Sequence, residues 1–117
     1  MCRAIWVLIV GSSPDESKAL RRAAGPDVQV VGMAESADEA RILAGSTQAD
    51  VFVISAGVPG GRNLIAALRE GAPSSAIVWV GEEPDGADAT ISAVGDELEG
   101  AITRALLARR AAGGSSR

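Results

Sequence analysis

Few residues in this chain are equipped for chemistry. There is no His and no Tyr, and the single Cys stands at position 2. Imidazole acid–base catalysis, His or Cys metal clusters and internal disulfides are therefore excluded, leaving carboxylate, hydroxyl and backbone chemistry. Ser12 and Ser13 follow one apolar run directly and Ser55 ends another. A nucleophilic serine needs an adjacent base, and without His the acidic run Glu82-Glu83-Pro84-Asp85 would have to supply it. The plainer reading of Ser55 is a small polar residue closing a strand, and of the acidic run a solvated loop. Val58-Pro59-Gly60-Gly61-Arg62-Asn63 leads into a helix, so its backbone N–H groups and Arg62 are candidates to hold an anion. Its spacing matches neither phosphate-binding fingerprint, and a turn followed by a helix start is the better reading.

The elements that must position these residues fit in one domain, since the chain has 117 residues and a mass of 11.8 kDa. With 47% hydrophobic and 22% charged residues it should fold, and its apolar runs are too interrupted to span a membrane. Fifteen acidic against eleven basic residues give a net charge of −4 and a pI near 4.7. No chain-wide positive field attracts nucleic acid or anionic lipid, so neither is expected as a direct partner. A lone thiol at Cys2 fits a reducing cytosol, and a cytoplasmic location is expected.

Ala4 to Val10 (AIWVLIV) has the apolarity of a short secretory signal, but no A-x-A cleavage site follows and a buried strand explains it better. Continuous apolarity means that both faces are covered, as in a central strand of a parallel sheet. Ser13-Pro14-Asp15-Glu16 then reads as a capping box opening a helix, with Ala19, Leu20 and Ala23 inward and an end at Gly25-Pro26. Val28 to Met33 is a second strand, and a second box, Ser36-Ala37-Asp38-Glu39, opens a helix ending near Gly45. Val51 to Ile54, Arg62 to Glu70 and Ala76 to Val80 continue as strand, helix, strand. This alternation predicts an α/β fold, a doubly wound parallel sheet with right-handed crossovers and helices on both faces.

The rhythm then breaks. Only eight residues, GEEPDGAD, separate Val80 from a weak fifth strand at about Ala89 to Val94, whereas a parallel crossover with its helix needs at least about 10 to 12. The fourth helix is expected to be missing. One face of strand four would lose cover, bringing either Trp79 or its alternating neighbours Val78 and Val80 toward solvent as a candidate interface. A final helix from about Asp96 to Arg110 buries Leu98, Ile102, Ala105 and Leu106, with acids at its start and Arg104, Arg109 and Arg110 at its end, as the helix dipole favours. The domain is thus read as residues 1–110, with 111–117 (AAGGSSR) as a flexible tail.

These residues resemble a known pattern. WVLIVGSSPDE resembles the first strand and loop of response-regulator receiver domains, and VVGMAESADEARILAGSTQADVFVISAGVPGG their second strand through the loop after the third. Asp50, then Ile54 four residues on, then Val58-Pro59-Gly60 is the most specific piece, and Gly86-Ala87-Asp88 resembles the Gly-Ala-Asp before their fifth strand. The similarity spans about residues 4 to 108 and implies the flavodoxin-like strand order 2-1-3-4-5. Receivers of this kind accept a phosphoryl group on an Asp at the end of the third strand, with Mg²⁺ held by an acidic pair after the first. Carried across, the pair falls on Gly11 and Ser12, the acceptor on Ser55, the hydroxyl residue after strand four on Gly81, and the Lys after strand five on Ser92 or Ala93.

The resemblance therefore implies a receiver that lacks the phosphorylation residues, binds no metal or cofactor and is not an enzyme. Glycine and serine cannot supply the carboxylates that Mg²⁺ and a moving phosphate require. Asp15 is the nearest carboxylate in sequence after Ser12, placed for capping. The expected role is phosphorylation-independent signalling through a regulatory protein partner or a homodimer, with Trp79, Leu98 and Ile102 at the interface. Alternatively, Ser12, Ser13, Ser55, Gly57 and Gly81 ring an uncharged pocket at the carboxyl end of the sheet that suits a neutral small molecule.

Overall fold

The computed structural model describes residues 5–25, 28–58, 60–71, 75–81, 89–91 and 97–114. Its first strand shows why continuous apolarity is informative. In β1 (Ile5–Val10), Val7, Leu8, Ile9 and Val10 are all fully buried. Val7 and Ile9 enter one core while Leu8 and Val10 enter another on the opposite face. β3 (Val51–Ser55) and β4 (Ala76–Val80) are likewise buried at every position. Full burial of a Val-, Leu- or Ile-sized side chain contributes about 1.5–3 kcal/mol, which concentrates stability in these three strands.

β2 (Val28–Ala34) and β5 (Ala89–Ile91) complete a five-stranded parallel sheet in the order β2-β1-β3-β4-β5. β2 is an edge strand and only partly buried, with a register shift opposite Val7 and Leu8. The core on one face gathers Leu20 and Ala24 from the α1 segment (Pro14–Ala23 and its cap) with Leu98, Ala101, Ile102 and Ala105 from α4 (Glu97–Gly114). The other face gathers Ala40 from α2 (Ala37–Ser46) and Leu64, Ile65 and Leu68 from α3 (Gly61–Gly71). Between β4 and β5 no helix occurs among the described residues, and 82–88 lie outside them.

Three expectations change. Trp79 is 2% exposed, and Val78 and Val80 are buried too, so strand four offers no surface. Trp79 shares a core with Leu64, Ile65 and Leu68 of α3, while Leu98 and Ile102 of α4 cover Val78 and Val80 from the other side. Leu98 and Ile102 are themselves spent on that packing, and none of the three proposed interface residues is accessible. The inward stripe of α1 is Ser17, Leu20 and Ala24, with Ala23 packed beside them as expected, and Ala19 faces solvent. Finally, α4 runs on through Ala111 and Ala112 to Gly114, past the tail boundary drawn at Ala111, because two alanines extend a helix that the glycines then end.

Candidate functional site

The strand order reverses between β1 and β3, and it is beyond their carboxyl ends that open α/β sheets form a crevice. Gly11 and Ser12 follow β1 there, Ser55 ends β3, and Gly81 follows β4. Ser12 is exposed and Ser55 is 2% exposed. Between them lies the carboxylate of Glu16. Its Oε1 accepts from the Ser12 backbone N–H at 2.6 Å and from the Ser12 hydroxyl at 2.7 Å. Its Oε2 accepts from the Ser55 hydroxyl, 39 residues away, at 2.7 Å. Ser55 Oγ in turn accepts from the Gly57 N–H at 3.1 Å, so this buried hydroxyl both donates and accepts.

Helix α1 carries Glu16 to this position. Ser13 is its N-cap, in extended conformation, and Ser13 Oγ accepts from the Glu16 N–H at 3.2 Å. That is half of the capping box expected from the sequence. The other half is replaced, because the carboxylate reaches past the cap residue to Ser12 and across the crevice to Ser55. The expected uncharged ring is corrected accordingly, since one carboxylate occupies it.

Close approach of the loops explains the glycines. A Cβ on Gly57 would stand 3.1 Å from Ser12 Oγ and 3.3 Å from Ser12 Cβ. A Cβ on Gly11 would stand 2.6 Å from Ser17 Oγ and 3.1 Å from Ser17 N, so α1 is packed against the spot where a side chain would begin. Gly81 has a φ of 137°, a region L-residues rarely adopt, and a Cβ there would meet that of Ala56 at 2.4 Å. The Ala56 N–H donates to the Val80 carbonyl and the Gly81 N–H to the Ile91 carbonyl, both at 2.8 Å, tying the end of β3 to β4 and the end of β4 to β5.

Partial burial pushes the Glu16 pKa up, but the bonds from the Ser12 hydroxyl, the Ser12 amide and the Ser55 hydroxyl outweigh it and hold the carboxyl below its ordinary value. The charged form is the stable one. Glu16 thus stands where a base for Ser55 would stand, but a carboxylate with a lowered pKa is a poor base for a hydroxyl, and Ser55 is too buried to attack a substrate. Nor do these residues suit Mg²⁺. Among the described residues the pocket holds one carboxylate, both of whose oxygens already take hydrogen-bond donors, and no group of three or more His, Cys, Asp or Glu side chains occurs.

The remaining candidates separate from this cluster. Ser13 serves as the helix cap, and Gly60 sits in the turn before α3, its carbonyl accepting from the Leu64 N–H at 2.9 Å. Arg62 lies in the first turn of α3, with its side chain outside the described residues, as are Ala93 and the acidic run at 82–85. Asp50 belongs to the opposite end of the sheet, where its carboxylate accepts from the Trp6 N–H at 2.9 Å. A separate groove of about 370 Å³ between α2 and α3, lined by Arg41, Glu70 and small residues such as Ala44 and Ala67, shares no residue with the crevice. Glu16 is the residue that sequence reasoning missed. The signal was a Glu on the first turn of a helix entered directly from the loop that holds Ser12.

No family model and no curated protein matches the chain. Solved structures do match it. The signal receiver domain of an HD domain-containing protein from Pseudomonas fluorescens Pf-5 aligns with a TM-score of 0.79 at 21% identity, over 93% of this chain and 99% of that one. A CheY-like response regulator receiver domain protein from Methanospirillum hungatei JF-1 aligns at 0.77 and 18%, covering 95% and 100%. The response regulator domain of Thermotoga maritima CheB aligns at 0.69 and 23%, covering 96% and 98%. The chain has the receiver fold. At such identities the likeness is one of architecture, and it bears out the five-stranded order 2-1-3-4-5 expected from the sequence.

Proposed function

We propose that this chain is a receiver-fold signalling domain that works without accepting a phosphoryl group and acts through contacts with a regulatory protein or a second copy of itself. The observation that carries this reading is the Glu16 carboxylate seated on Ser12 and Ser55. Where the resemblance places an acidic pair and an acceptor, this chain has Gly11, Ser12 and Ser55, and the one carboxylate there among the described residues is engaged by hydrogen bonds. A small molecule using the same pocket would have to displace Glu16 first.

The side chains offered to a partner are not those expected from the sequence. Among the described residues the exposed large apolar groups are Ile42 (72%), Leu107 (59%), Met33 (41%) and Trp6 (36%), on four different elements. No described helix is long and apolar enough to cross a membrane.

The test is direct. Incubated with acetyl phosphate and Mg²⁺, the protein should show no added phosphoryl mass by intact-mass spectrometry. Stoichiometric addition, mapped to Ser55 or to any carboxylate, would overturn the reading.

A further inference from the structure

The crevice contains its own anion. Three donors, the Ser12 N–H, the Ser12 hydroxyl and the Ser55 hydroxyl, converge on one carboxylate at 2.6 to 2.7 Å, the lengths of charge-assisted hydrogen bonds. Such convergence on an anion at a helix start is a recognisable binding arrangement, helped by the helix dipole. Here the anion comes from the helix itself. We propose that Glu16 is a resident ligand, filling the place an oxyanion would take between Ser12 and Ser55 and thereby locking the β1–α1 loop onto the turn after β3. The inference rests on the phosphorylation-independent reading and gives it a cause, since the donors at Ser55 are satisfied from within.

Two further observations support a lock. Ser55 is buried, so its hydroxyl requires an acceptor inside the fold, and the acceptor is Glu16 Oε2. Gly57 packs closely against Ser12, and a Cβ there would press on the Ser12 side chain at 3.1 to 3.3 Å. The arrangement is also not an automatic product of the local motif. Glu39, at the equivalent position of α2, accepts from the Glu35 N–H next to its own cap at 2.9 Å, and among the described residues it takes no hydrogen bond from across the sheet.

The experiment compares the intact chain with Glu16→Ala, Glu16→Gln and Ser55→Ala, using residue-resolved amide NMR and acetate as the probe. In Glu16→Ala the Gly57 and Ser12 amides should exchange about ten-fold faster or more, as expected for loss of a charge-assisted hydrogen bond. Millimolar acetate should shift those two amides saturably and recover part of their protection, while leaving the wild type unmoved. Two results overturn the proposal: a wild type that takes up acetate as the variant does, or a folded Glu16→Ala that keeps its Gly57 protection and ignores acetate. Should Glu16→Ala fail to fold, Glu16→Gln decides, because it must loosen Gly57 if the lock is real and unchanged exchange refutes it; Ser55→Ala, which removes the Gly57 acceptor itself, marks the exchange of a released turn. The functional reading fails separately, on phosphoryl incorporation into the wild type.

Discussion

Helices α1 and α2 open on the same pattern, Ser13-Pro14-Asp15-Glu16 in one and Ser36-Ala37-Asp38-Glu39 in the other. Their caps are nearly superposable in conformation, with φ and ψ of −153° and 161° at Ser13 and −146° and 161° at Ser36. Both serine hydroxyls accept from the glutamate N–H, at 3.2 and 3.1 Å, and both carboxylates accept from the N–H of the residue before the cap. There the likeness ends. The residue before the first cap is Ser12, whose hydroxyl also binds Glu16, and across from it stands Ser55; the residue before the second is Glu35, exposed at the end of an edge strand. One motif gives a helix cap in both places, and its position over the strand-order reversal makes one of the caps a tie between strands.

The comparison predicts unequal losses on truncation. Glu39→Ala removes an exposed capping carboxylate and should cost about 0.5 kcal/mol. Glu16→Ala removes three hydrogen bonds, two of them solvent-exposed and discounted for it, and leaves the buried Ser55 hydroxyl without its acceptor, for a total of about 2 kcal/mol. Urea denaturation of the two variants measures this. Equal losses would mean that the reach to Ser55 adds nothing, and the two helix starts would be energetically the same.

How much of this was legible beforehand follows from the range of each interaction. Both helix starts and the parallel sheet rest on local patterns and on continuous apolarity, and the strand order on the resemblance to receiver domains; all of these hold, while the stretch expected to lack the fourth helix, 82–88, lies outside the described residues. The placement of Ser12, Ser55, Gly57 and Gly81 around one crevice follows from topology alone. The occupant of the crevice was missed because a capping box is normally a closed local affair, and nothing in Ser-x-x-Glu says that a serine 39 residues away will compete for the carboxylate. Trp79, Leu98 and Ile102 were misplaced for a related reason. Counting the residues between strands predicts a missing helix, but the burial of strand four depends on how α3 and α4 close over it.

A smaller effect separates the two carboxylates by charge. Because the folded-state pKa of Glu16 lies below its unfolded value of about 4.3, its stabilisation is complete above that value and is lost as pH falls through the lower, folded one. The gap in stability between wild type and Glu16→Gln, about 1 kcal/mol at neutral pH, should hold level above the unfolded value and close as pH falls through the lower, folded one. In a Ser55→Ala background, which removes one of the bonds lowering the pKa, the gap should be smaller throughout. Chemical denaturation across this range checks both, and a gap indifferent to pH would show that the tie is made by shape and not by charge.

The smallest expected difference lies one residue further into each helix. Ser17 and Ala40 occupy matching positions, each donating its N–H to its cap residue at 3.0 Å and each buried. Ala40 has nothing to satisfy there, whereas Ser17 Oγ has no hydrogen-bond partner among the described residues and faces the backbone of Gly11. An unpartnered buried hydroxyl is destabilising and serine is a weaker helix former than alanine, while Oγ returns some contact against Gly11. Ser17→Ala, which makes α1 match α2 at this position, should therefore stabilise the fold by about 0.5 kcal/mol, read as a rise in melting temperature. A loss of stability instead would mean that a buried water holds the hydroxyl, and that α1 meets the sheet through a solvated seam beneath Gly11 where α2 meets it dry.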